Sequence, residues 1–116
     1  DPKLAWGKGP GVNVPVVRRL IERYLVADKG SVLSQFYTFC SVPQRRFMYV
    51  TLWDKEKFIA GALKPKFVLL DLNAEDPWVS GAELDAMAAL LRKGRTYRPL
   101  YDAGGVLLYQ RDAATQ

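Results

Sequence analysis

The stretch from Lys66 to Arg111 does most to constrain what this chain can become. Lys66-Phe67-Val68-Leu69-Leu70-Asp71-Leu72 is a short run with an apolar centre on both faces, the pattern of an interior parallel strand covered on each side. Ser80 and Glu83 follow in the S-x-x-E spacing of a capping box. Leu84, Met87, Ala88 and Leu91 then recur at helical spacing, and Arg92-Lys93-Gly94 supplies a basic last turn and a stop at C′. The spacing predicts a helix from about Gly81 to Lys93. Tyr97–Tyr101 and Val106–Arg111 flank Asp102-Ala103-Gly104-Gly105, whose glycines allow the positive φ of a tight antiparallel hairpin. Strand, helix and hairpin in that order set an α/β domain.

The first half fits the same class. Residues 1–12 carry Pro2, Gly7, Gly9, Pro10 and Gly11 and read as a linker or arm. Asn13 is the expected N-cap of a first helix with Pro15 in its first turn, and Val16, Val17, Leu20, Ile21, Tyr24 and Leu25 form its apolar face to about Val26. Asp28-Lys29-Gly30 turns the chain into a strand over Ser31–Gln35. Residues 36–42 read as a loop or one helical turn. A second strand is expected from Arg46 to Trp53, on the β propensity of Tyr49, Val50 and Thr51. Next comes a short helix from Asp54 to Leu63, capped by Asp54 and ended by Lys64-Pro65. Residues 113–116 are a frayed tail. The expectation is one domain over 13–112, a small layered α/β unit of two or three layers. Its mixed sheet has parallel central strands and a C-terminal antiparallel hairpin at one edge, with crossovers of the usual right hand.

Composition narrows function mainly by exclusion. The chain has no histidine, which removes His-based triads, His proton shuttles and the commonest metal ligand. With one cysteine, Cys40, there is no internal disulfide and no ligand set for zinc. Cys40 stands among Phe36, Tyr37 and Phe39 and reads as a buried, inert thiol. The glycines of Gly7-Lys8-Gly9-Pro10-Gly11 match neither the P-loop nor the dinucleotide fingerprint, and no cofactor is implied. No apolar run approaches the roughly 18–20 residues of a membrane span, so the chain itself is expected to be soluble. It opens on Asp1 rather than Met, the expectation for a processed or truncated chain, which leaves room for targeting or membrane segments upstream without indicating them.

The net charge of +5 suggests an anionic neighbour, although an inert basic surface is the plainer account of it. Arg18, Arg19, Arg45, Arg46, Arg92, Lys93, Arg95 and Arg98 are scattered and form no block. Arg45-Arg46-Phe47-Met48-Tyr49 interleaves basic and aromatic residues but lacks the RNA-binding pattern. Phe47 and Tyr49 therefore read as core, and nucleic acid is disfavoured as a partner.

Asp71 is the carboxylate at the carboxyl end of the interior strand, where open α/β sheets bind ligands. Ser34, Gln35, Asp71, Asp76 and Trp78 are the candidate ligand-binding residues of that edge. The plainer role for Asp71 is to accept backbone N–H bonds from the loop that follows it. No catalytic residue and no metal site is assigned. Trp6, Trp53 and Trp78 each suit a core, an interface or a sugar platform.

Several of these pieces together resemble the C-terminal soluble domain of a bacterial and archaeal family of multi-pass membrane proteins (DUF2079). They are the turn Asp28-Lys29-Gly30, the strand Ser31-Val32-Leu33-Ser34-Gln35, an arginine such as Arg45 or Arg46, and the strand Phe47-Met48-Tyr49-Val50. The segment Lys66–Leu72 with Asp76-Pro77-Trp78 follows, and then the ending Tyr101–Arg111. The likeness covers roughly residues 14–111. It departs at Gln35-Phe36-Tyr37-Thr38-Phe39, where that family shows a His- or Asn-rich loop. The family is similar to polytopic glycosyltransferases that use lipid-phosphate sugar donors. The resemblance implies a non-catalytic, extracytoplasmic accessory or substrate-recognition module. Its implied partners are upstream transmembrane helices of the same protein, with anionic lipid head groups or a sugar-containing acceptor beside them. Two rival expectations are a free-standing ligand-binding protein or small enzyme working at the carboxyl edge, and a charge-driven nucleic-acid binder.

Overall fold

The computed structural model of the protein describes residues 10–35, 48–74 and 79–112. Helix α1 spans Pro10–Leu20 and continues as one π-helical turn over Ile21–Leu25, closed by the Val26 N–H on the Ile21 carbonyl. Strand β1 is Val32–Ser34, β2 is Met48–Val50, and helix α2 is Thr51–Ile59. Strand β3 is Phe67–Asp71, helix α3 is Gly81–Lys93, and β4 (Tyr97–Ala103) and β5 (Val106–Arg111) close the chain.

The sheet order is β2-β1-β3-β5-β4. β1 runs parallel to both β2 and β3, while β5 is antiparallel to β3 and β4. The expected mixed sheet, with parallel central strands and the hairpin at one edge, is therefore present. Side-chain alternation divides the interior in two. Leu33, Val68, Leu70, Leu107 and Tyr109 point to one face, where Phe58 of α2 and Leu84, Met87, Ala88 and Leu91 of α3 cover them. Val32, Phe67, Leu69, Val106 and Leu108 point to the other, beneath Val17, Leu20, Ile21 and Leu25 of α1. All five residues of β3 are buried, which is why that strand carries no polar face. The result is three layers: one helix, the sheet, two helices.

Helix α3 has the expected bounds and the expected inward residues. Ser80 Oγ accepts from the Glu83 N–H at 3.1 Å, and the Glu83 carboxylate accepts from the Ser80 N–H at 2.9 Å, so the capping box is complete. Gly94 ends the helix with extended backbone rather than the left-handed residue usual at C′. A side chain there would press on the Leu90 carbonyl at 2.6 Å, and this close approach accounts for the glycine.

Three expectations are corrected. The first helix begins at Pro10, so Asn13 lies inside it and is buried, with its side chain used in a tertiary bond instead of a cap. Thr51, Leu52 and Trp53 belong to helix α2 and not to a strand; β2 stops at Val50. Their β-branched and aromatic character is overridden by the fold. Helix α2 also ends earlier than Lys64-Pro65. Gly61 at φ 81°, with Gly61 N–H on the Phe58 carbonyl and Ala62 N–H on the Lys57 carbonyl, makes a Schellman motif after Ile59. Trp6, Cys40, Arg45, Arg46, Phe47, Asp76 and Trp78 lie outside the described residues. Tyr49 packs half-buried against the α2/α3 face, in line with a core role.

The hairpin turns on Gly104 and Gly105, with φ of 61° and 86°. Asn73 Nδ2 donates to the Gly104 carbonyl at 2.8 Å and stands 2.5 Å from where a Gly105 Cβ would be. Gly105→Ala is therefore expected to cost about 2 kcal/mol, from the left-handed conformation plus displacement of Asn73. Gly104→Ala meets open space and should cost about half as much. The gap between the two denaturation midpoints, at unchanged m, measures the Asn73 contact.

Candidate functional site at the carboxyl edge

Ser34, Gln35 and Asp71 do converge. Ser34 ends β1, Gln35 follows it, and Asp71 ends the neighbouring parallel strand β3, with Ser34 in register with Leu69. All three are buried: Ser34 1% exposed, Gln35 0% and Asp71 1%.

The Gln35 side chain behaves like one more rung of the sheet. Its Oε1 accepts from the Asp71 N–H at 2.6 Å, and its Nε2 donates to the Asp71 carbonyl at 3.0 Å. The primary amide thus reproduces the donor and acceptor pattern of a peptide group and extends the β1–β3 pairing past Ser34. The Asp71 carboxylate faces α1. Its Oδ1 accepts from Asn13 Nδ2 at 2.8 Å and from the Asn73 N–H at 3.0 Å. The second bond is the loop-capping role that the sequence allows for an aspartate two residues before an asparagine. The first fastens the amino-terminal part of α1 to the carboxyl edge. Asn73 in turn holds the hairpin turn, so α1, β1, β3 and the β4–β5 turn meet in one polar cluster.

Ser34 shares the α1 face with Asp71 by strand alternation. Its Oγ is buried and makes no hydrogen bond among the described residues. Asp76 and Trp78, the other candidates for this edge, lie outside those residues. No group of three or more metal-ligating side chains occurs among the described residues.

A second polar cluster was not anticipated from the sequence. Arg92 on α3 binds Asp102 on β4 through Nε at 2.9 Å and Nη2 at 2.8 Å, and the Tyr109 hydroxyl donates to Asp102 Oδ2 at 2.6 Å. The Arg92 guanidinium, with the Tyr109 hydroxyl, holds the Asp102 carboxyl below its ordinary range. Burial, then the Asp102 carboxylate, pushes Tyr109 up to about 12. Tyr97, whose hydroxyl donates to the Pro65 carbonyl at 2.6 Å, is pushed up further by burial. A tyrosine whose folded pKa is raised stabilises the fold below its unfolded value, near 10, and that stability is lost as pH rises through the folded value. Thermal stability is accordingly expected to fall from about pH 10 toward 12, tracked by melts and by tyrosinate absorbance. Tyr109→Phe should flatten part of that fall. An undiminished slope in Tyr109→Phe would assign the alkaline transition elsewhere.

Asp102 sits in the first strand of a hairpin and Arg92 ten residues earlier on a helix, so no short-range spacing links them. Lys55 and Glu83 are likewise joined across α2 and α3 at 3.0 Å. The Ser80 N–H and then Lys55 hold Glu83 below its ordinary range.

Comparison with protein-family models, with curated proteins and with solved structures finds no match to this chain. The fold and the edge cluster define a small three-layer α/β domain with a mixed sheet. No helix among the described residues is long and apolar enough to cross a membrane.

Proposed function

We propose that this chain is a non-catalytic, extracytoplasmic module of a polytopic membrane protein, serving as an accessory or recognition unit for a glycosyltransferase-like partner region. The observation that carries the reading is the state of the carboxyl edge. In an α/β enzyme, polar groups there project into a crevice toward substrate. Here Gln35, Asp71 and Asn13 are buried and bonded to one another across three elements. That is the chemistry of a brace that fixes a helix to a sheet. The resemblance over residues 14–111 supplies the membrane context, and the net charge of +5 suits a domain held beside anionic lipid or a lipid-phosphate substrate.

The test is fractionation of cells that produce the complete gene product. The expected result is recovery with membranes, release by detergent alone, and labelling of the domain by an impermeant reagent from outside. Recovery of the complete product in the soluble cytosolic fraction overturns the reading.

Ser34 favours a second reading, a ligand-binding protein working at the carboxyl edge, because a buried hydroxyl with no hydrogen-bond partner among the described residues is one that a ligand or water completes. A polyhydroxylated ligand that raises the melting temperature of the native chain but not of Ser34→Ala would favour this alternative.

A further inference from the structure

The cations that look scattered in the sequence are gathered by the topology. Helix α1 delivers the chain to the start of β1, α2 to the start of β3, and α3 to the start of β4. β1, β3 and β4 run in the same direction, because β5 is antiparallel to both of its neighbours. The loops before those strands therefore share the amino edge of the sheet. Exposed Lys29, Lys64 and Arg95 occupy them, exposed Lys93 ends α3 beside them, and exposed Arg98 follows at the second position of β4. Asp28, also at this edge, is bound to Lys66 at 2.7 Å. Cations in a last helical turn offset the helix dipole, which accounts for Lys93. It does not account for Lys29, Lys64, Arg95 or Arg98, which lie in turns or strand.

Apolar surface collects toward the same end. Val26, just past α1, is 46% exposed, and Leu90, in the last turn of α3, is 42% exposed. Between α2 and α3 runs an open apolar groove of about 540 Å³, lined by Ile59, Ala86, Ala89, Leu90, Lys93 and Gly94. A smaller hollow of about 130 Å³ adjoins it, with Leu63, Lys64 and Thr96 on its wall. The Lys55–Glu83 ion pair bridges the same two helices one turn before Ile59 and Ala86, so the groove's cationic end is the one marked by Lys64 and Lys93.

We infer that the amino edge of the sheet, with the α2–α3 groove, is the face this domain sets against a layer of anionic lipid head groups. Phosphates meet Lys29, Lys64, Lys93, Arg95 and Arg98, while Leu90, Ile59 and Leu63 reach the boundary of the acyl region. The mixture decides between anionic partners. A nucleic acid satisfies the cations but offers little to exposed aliphatic side chains, whereas a lipid surface satisfies both. The inference names the partner surface of the membrane-associated module proposed above and rests on that reading.

The experiment is flotation of the 116-residue chain with phosphatidylglycerol-containing vesicles and with pure phosphatidylcholine vesicles, across a salt series. Binding to the anionic vesicles alone, weakening with salt, is expected. Lys64→Glu with Lys93→Glu should weaken it by more than about tenfold. Leu90→Ser should weaken it by about threefold with the melting temperature unchanged. Arg18→Glu with Arg19→Glu, the same charge change on exposed positions of α1, should weaken it far less. Equal loss from the two charge-reversal pairs overturns the inference, as does equal binding to neutral vesicles or an unaffected Leu90→Ser. Tighter binding to a single-stranded oligonucleotide than to the vesicles also overturns it and assigns the face to nucleic acid. Vesicle binding that follows these expectations while the complete gene product stays soluble leaves the surface assigned and removes the polytopic reading alone.

Discussion

Gln35→Leu should lower the unfolding free energy by about 2–4 kcal/mol, because leucine fills the space yet leaves the Asp71 N–H and carbonyl without the Gln35 bonds. The N–H loses its acceptor, which costs roughly 1–3 kcal/mol, while the carbonyl keeps the Ala74 N–H at 3.2 Å and loses one bond of about 1 kcal/mol; Gln35 is fully buried, so water does not replace the amide. For a domain of this size the loss corresponds to roughly 10–25 °C in melting temperature, a large share of a typical total. Gln35→Glu gives the sharper test. A carboxylate accepts from the Asp71 N–H but cannot donate to the Asp71 carbonyl, and it brings a second negative charge beside Asp71. A protonated carboxyl does both jobs. The folded pKa of the new side chain is therefore raised above its unfolded value near 4.3. Stability is retained below that value and lost as pH rises through the folded one. A Gln35→Glu variant as stable as the native chain at pH 7, with no gain on acidification, would show that the amide does not bridge β1 and β3 in this way.

The parts of the fold legible in the sequence are those whose signals are local. Helix α3 announces both ends and its inward face within Ser80–Gly94, and the hairpin rests on two adjacent glycines that take the φ its turn requires. Thr51-Leu52-Trp53 misleads because β propensity describes fit to a half-buried pleated surface, and the fold places that run in a helix instead. Asn13 misleads for a related reason. Its residue type suits a cap, but its partner, Asp71, lies 58 positions away. The convergence of Ser34, Gln35 and Asp71 at one edge was readable, since parallel strands bring their carboxyl ends together. Their roles were not, because the Gln35–Asp71 bonds span 36 positions and depend on strand register. The amino-edge cations escaped for the same reason: scattered along the chain, they are gathered only by the direction each strand takes.

Asp71→Ala is expected to cost about 3 kcal/mol, and the size of its coupling to Asn13 tells a brace from a ligand site. Removing the carboxylate strips the acceptor from Asn13 Nδ2, inside α1, and from the Asn73 N–H. Bonds to a charged acceptor contribute roughly 1.5–3 kcal/mol, and Asn13 is itself buried. Asp71→Asn keeps a carbonyl oxygen in place and should cost about 1 kcal/mol. In a double-mutant cycle, Asn13→Ala and Asp71→Ala should couple by about 1–2 kcal/mol, because each destroys the same bond. A carboxylate kept for a ligand predicts the reverse: near-additive losses, and a stability that Asp71→Ala leaves intact or raises once a buried charge is gone. Hydrogen exchange supplies the second readout. With Asp71→Ala, protection should fall in the amino-terminal turns of α1 and in the Leu72 amide, which bonds to Gly105, while α3 keeps its own. Loss confined to α1 and the β4–β5 turn is the signature of one polar cluster tying a helix and a hairpin to the end of β3. Uniform loss across α3 as well would mean that Asp71 supports the whole core and has no separate role at the edge.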